Sequence, residues 1–111
     1  MNQNQKTNEQ SFSQPQLPTQ LRAVLKIVTA DEELRRKASP FVNVEKREVN
    51  WEGIFRNDFS SGHRAALVWA KSLWRDESPA RIDIFDRSFA MDENLRKVVI
   101  EALKIRWGLG Q

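Results

Sequence analysis

The sequence predicts an all-α domain, a compact bundle of four or five helices around a central helix near 60–75. Three observations predict it. The stretch from Asp58 to Arg75 keeps an unbroken helical pattern and holds two of the four tryptophans. Two further segments, from Thr19 and from Glu93 to Trp107, repeat apolar residues at helical spacing between capping residues and breakers. Strand-like alternation is confined to a short, possible β-like segment near 41–49, where Phe41, Val42, Val44 and Val49 flank a charged cluster and alternate over too few residues to define a strand.

The central helix is read residue by residue. Ser60 or Ser61 supplies an N-cap, and Gly62 just inside it carries a modest propensity cost. At 100° per residue, Ala65, Ala66, Leu67, Trp69, Ala70, Leu73 and Trp74 cover an arc of roughly 200°. Such a width calls for partners on two sides. Small Ala66 and Ala70 alternate with bulky Trp69 and Leu73, which lets neighbouring helices approach closely.

The remaining arc carries Arg64, Lys71 and Arg75, a basic stripe. It reads first as a solvated face that keeps a wide apolar helix soluble, and second as an anion or nucleic-acid contact. His63, the single histidine, lies near the edge of the apolar arc in the first turn. It reads as a partly buried neutral side chain; a role as general base requires a carboxylate that only the fold can bring to it.

Residues 1–18 are polar and rich in Asn and Gln, with Phe12 as their only aromatic and prolines at 15 and 18. Too little apolar area is present to offset ordering entropy, so a disordered tail is predicted, a solubilising extension whose alternative is a short docking motif around Phe12. Residues 19–111 then form a single helical domain. Thr19 is a candidate N-cap for a helix with Leu21, Val24, Leu25, Ile27 and Val28 on one face. Thr29 to Glu32 reads as a T-x-x-E capping box that either interrupts this helix or starts a second one through Leu34, before Ser39 and Pro40. Asn50 caps a short helix, WEGIFRN, and Phe59 anchors the turn into the central helix.

Pro79 breaks the chain after the central helix, and Asp83 caps a short piece whose Ile84, Phe85 and Phe89 imply packing beneath larger helices. Asp92 caps the last helix, which Gly108 ends. Its polar arc holds little beyond Lys97, Glu101 and Lys104, so burial of most of this helix is predicted. Arg106 falls on the apolar side. A lone charge there must be paired, either with helix carbonyls or with one of Asp83, Asp86 and Asp92, or else it anchors an interface or ligand.

Composition closes several chemistries. No cysteine and one histidine argue against disulfides, thiolate catalysis and the usual zinc sites, and no cofactor or metal is predicted. Asp83, Asp86 and Asp92 are too loosely spaced for a calcium loop. No apolar run reaches membrane-spanning length and no signal peptide is evident, so the chain is expected to stay off membranes and in the cytoplasm. With 18 basic and 15 acidic side chains and a net charge of +3, the surface is mixed rather than polycationic.

The combination of SSGHRAALVWAKSLW, IFDRSFAMD and IRWGLG resembles small bacterial helical proteins in which a Ser-Gly-x-x-Ala helix precedes a Phe- and Asp-containing segment and a final helix. The resemblance covers about half the chain and implies no activity. The function expected is therefore a non-catalytic protein-interaction or assembly module, with a protein partner or a homo-oligomer. The alternative is nucleic-acid binding through the stripe. An enzyme built on His63 and an aspartate ranks last.

Overall fold

The structure, a computed structural model, describes residues 17–109. The predicted tail therefore lies outside the described residues except for Leu17 and Pro18, and so does Phe12. Among the described residues the chain is mostly helical. It forms α1 (Thr19–Val28), α2 (Glu32–Lys37), a 3-10 turn (Ser39–Phe41), β1 (Val42–Asn43), β2 (Glu48–Val49), α3 (Trp51–Phe55), α4 (Ser61–Arg75), α5 (Ile84–Ser88) and α6 (Glu93–Trp107). Six helices stand where four or five are predicted, because each short capped piece closes as a helix of its own.

Local capping explains most boundaries. The Ser60 hydroxyl accepts from the His63 amide at 3.2 Å, and the Asn50, Asp83 and Asp92 side chains each accept an amide of the first turn they precede. Two caps differ from the sequence reading. Pro18 occupies the N-cap position of α1, so Thr19 is its first helical residue. At the other end the Thr29 hydroxyl donates back to the Leu25 carbonyl at 2.6 Å and ends α1, while the Asp31 carboxylate accepts from the Leu34 amide at 2.9 Å and starts α2. Thr29 to Glu32 is thus a stop followed by a start, two residues apart. Beyond α6, Gly108 takes φ 72° and the Leu109 amide bonds the Lys104 carbonyl at 2.8 Å, the six-residue closure that a left-handed C-terminal glycine permits.

The strand-like segment pairs two residues with two, Val42 with Val49 and Asn43 with Glu48, in antiparallel register. Its 44–47 turn uses a left-handed Arg47 and a bond from the Lys46 amide to Asn43 Oδ1 at 3.0 Å.

The core is built by α1, α4 and α6, which pack on one another in all three pairs. The wide arc of α4 is satisfied internally: Ala66, Leu67 and Ala70 are fully buried. The helix enclosed most completely is α1, with Leu21, Ala23, Val24, Ile27 and Val28 all sealed from solvent, and its pairings with α6 and α4 are the most extensive in the fold. Burial of each large aliphatic side chain here contributes about 1.5–3 kcal/mol. The centre therefore lies on α1 and α4 together.

Gly62 has a specific reason to be glycine. A Cβ there would sit 2.8 Å from the Ala90 carbonyl oxygen, so the start of α4 touches the backbone that follows α5. At Gly53 a Cβ would fall 2.4 Å from the Phe41 ring, so there a side chain rather than backbone would have to shift.

Candidate functional site

Apolar surface is concentrated where α5 and α6 meet over α4. On α6, Ile100, Leu103 and Trp107 recur at spacings of three and four and share a face, with Ile100 52% and Trp107 65% exposed. Arg96, one turn earlier on that face, donates to the Phe89 carbonyl at 3.2 Å, which brings the end of α5 beside the stripe. Phe85 and Phe89 are 72% and 78% exposed. The prediction that they pack beneath larger helices is overturned, and so is the predicted burial of most of α6, where only Leu95, Val99 and Ala102 are buried.

Phe85, Leu103 and Trp107 line a groove of about 540 Å³ together with Trp69, Leu73 and Ile84, and Asp76 and Glu77 are its charged lining residues. Its floor is fixed. The Trp69 indole N–H donates to the Ser88 hydroxyl at 2.7 Å, and that hydroxyl donates to the Ile84 carbonyl at 2.6 Å. Phe85 meets Trp69 edge to face with ring centres 5.9 Å apart. α5 is thereby pinned by its inward side while its phenylalanines are held outward.

Arg106 bonds two residues that line this groove, Leu73 and Asp76. Its Nε donates to the Leu73 carbonyl at 3.2 Å, Nη1 donates to the Thr19 hydroxyl at 3.1 Å, and Nη2 pairs with the Asp76 carboxylate. The guanidinium thus ties α6 to the end of α4 and the start of α1. Its carboxylate partner is Asp76, not Asp83, Asp86 or Asp92; Asp83 and Asp92 serve as helix caps instead.

The basic stripe is only partly available. Arg64 turns its guanidinium to the Phe55 and Asn57 carbonyls at 3.5 and 3.0 Å, and the Lys71 ammonium lies 5.8 Å from the centre of the Phe55 ring. Arg75 remains exposed. Of the nearby basic residues on α2, Arg35 donates to the Thr29 carbonyl and Lys37 to Glu33 and the Asp58 carbonyl.

His63 receives the carboxylate that its sequence context lacked, and a second one with it. Its Nε2 lies 2.7 Å from Asp31 Oδ2 and its Nδ1 3.5 Å from Glu33 Oε1, with the side chain 14% exposed. Burial pushes the Asp31 carboxyl up, but the Leu34 amide, the His63 ring and the Glu33 amide outweigh it and hold Asp31 below the usual carboxylate range. With Nε2 bonded to Asp31 and Nδ1 buried without a hydrogen-bond partner, the imidazole braces α4 against the start of α2 through one nitrogen. Among the described residues no group of three or more His, Asp or Glu side chains is placed to hold a metal ion, and no helix is long and apolar enough to cross a membrane.

The sequence reading missed Phe85, Phe89, Ile100 and Trp107 as surface residues. For Phe85 the signal lies in the helical step: Ile84 and Phe85 are adjacent and point about 100° apart, so a helix that turns one inward holds the other aside. No family model, curated protein or solved structure matches the chain.

Proposed function

We propose that this chain is a non-catalytic assembly module that uses the α5–α6 groove to associate with a second copy of itself or with a protein partner. The observation that carries the reading is the apolar groove walled by the outward Phe85 and Trp107 over a hydrogen-bonded floor, with exposed Phe89 at the end of α5 and exposed Ile100 on α6. Monomers rarely leave large apolar side chains grouped in this way, and aromatic anchors over a rigid base are the usual composition of an interface centre. The non-catalytic part is supported by His63, whose Nε2 is held by the Asp31 carboxylate of its own chain.

Nucleic-acid binding through Arg64, Lys71 and Arg75 has less support, since Arg64 is engaged by backbone carbonyls and Lys71 lies over a ring. Sedimentation velocity from micromolar to hundreds of micromolar tests the assembly reading. Concentration-dependent association is expected; a strictly monomeric chain across that range removes self-assembly and leaves only the heterologous partner.

A further inference from the structure

The groove ends where the N-terminal segment of the chain begins. A single guanidinium, that of Arg106, contacts the Thr19 hydroxyl, the Leu73 carbonyl and the Asp76 carboxylate. Leu73 and Asp76 both line the groove, and Trp107, the residue after Arg106, forms its wall. The chain preceding Thr19 therefore leaves the fold within one side chain's span of this apolar surface.

That preceding chain has the reach and the chemistry to fill it. Phe12 lies seven residues before Thr19, a separation that spans up to about 25 Å when extended. The apolar stripe from Trp107 to Ile100 is seven helical residues long, about 10 Å. Phe12 can thus be set down anywhere along it. Between Phe12 and Thr19, Pro15 and Pro18 restrict the backbone to extended values, which lowers the entropy lost when the segment is laid in a groove. Among residues 1–16 Phe12 is the one aromatic, and Lys6 and Glu9 are the only charged side chains. Apolar recognition by such a segment falls to the Phe12 ring, which matches the Phe85, Leu103 and Trp107 walls.

We propose that the segment around Phe12 docks in the α5–α6 groove of its own chain and competes with the partner that the groove otherwise takes. The inference rests on the assembly reading for its regulatory meaning, since the occupied groove is the association surface. Tethering places Phe12 at an effective concentration in the millimolar range, so a contact too weak to persist between separate molecules persists within one. A partner or second copy must displace it.

The test uses the full chain. It has no cysteine, so Ser13→Cys gives a single site for a nitroxide label. The indole N–H signals of Trp69 and Trp107 report on the groove, and that of Trp51, the buried first residue of α3, is the control. In isotope-labelled, spin-labelled protein, selective broadening of Trp69 and Trp107 is expected at concentrations below self-association and is lost in Phe12→Ser. Isotope-labelled chain without the nitroxide is then mixed with spin-labelled chain without the isotope. Broadening in that mixture alone places the segment on another molecule and overturns docking within one chain. Absence of broadening in both samples also overturns it. Sedimentation of Phe12→Ser separates the two readings. Broadening with association tightened at least severalfold supports both, broadening with no association in either chain removes the assembly reading alone, and association without broadening removes the docking alone.

Discussion

At the scale of single residues, Arg106 shows what sequence can and cannot reveal. Its placement on an apolar arc marked it as a charge in need of partners, but those partners lie 33 and 87 positions away at Leu73 and Thr19 and 30 away at Asp76, separations that no local pattern encodes. Replacement by leucine removes three donors from the junction of α1, α4 and α6. Arg106→Leu is expected to lower stability by about 1–3 kcal/mol in denaturant titration. Arg106→Lys recovers little of the loss, because one ammonium cannot span three divergent acceptors. A fully stable Arg106→Leu protein that no longer associates would instead make this residue an interface anchor. Asp31 carries a second prediction. Its folded-state pKa lies below the unfolded one, so its stabilising contribution is complete above about pH 4 and is lost as pH falls through the folded value. Asp31→Asn should therefore be less stable than the parent near neutrality, and the gap should close on acidification. Equal differences at pH 7 and pH 3 would disprove the linkage. His63 was legible as an edge residue awaiting a carboxylate, whereas the identity of that carboxylate depends on how α2 turns back over α4.

At the scale of elements, helix ends were the most readable features because caps act over three or four residues: Ser60, Asn50, Asp83, Asp92 and Gly108 all stand where their chemistry predicts. The misread caps, Thr19 and Thr29, are threonines whose hydroxyls found other partners, Arg106 and the Leu25 carbonyl. Gly62 illustrates a cost that propensity misjudges in sign. In an isolated helix, Gly62→Ala would stabilise by about 1 kcal/mol. Here the added methyl meets the Ala90 carbonyl at 2.8 Å, and backbone cannot swing aside as a side chain can. The net effect expected is destabilisation by about 1–3 kcal/mol, seen as a lower midpoint of thermal unfolding, with the largest chemical-shift changes around Ala90 and Leu95. A raised midpoint would mean that the α5–α6 connection yields freely.

At the scale of the whole molecule, two apolar arcs were legible in the sequence as too wide for ordinary surface helices, yet only one of them is left over after folding. α4 spends its width inside, on α1, α5 and α6. α6 does not, because α1 and α4 already occupy its Leu95, Val99 and Ala102 side and no element covers Ile100 or Trp107 among the described residues. That division depends on three-dimensional order of packing, which periodicity alone does not give. It also separates stability from association, and the separation is measurable. Phe85 and Phe89 are mostly exposed, so the double substitution Phe85→Ser and Phe89→Ser forfeits little beyond the edge contact with Trp69, about 0.5–1.5 kcal/mol of folding free energy. Association through the same rings should weaken at least tenfold by sedimentation equilibrium. Salt sharpens the reading: contacts between apolar walls hold or strengthen as sulfate is added, whereas a complex held by Lys71 and Arg75 on phosphates weakens steeply with ionic strength. Association that survives the double substitution, or that dissolves in salt, would move the functional surface from the α5–α6 groove to the basic face of α4.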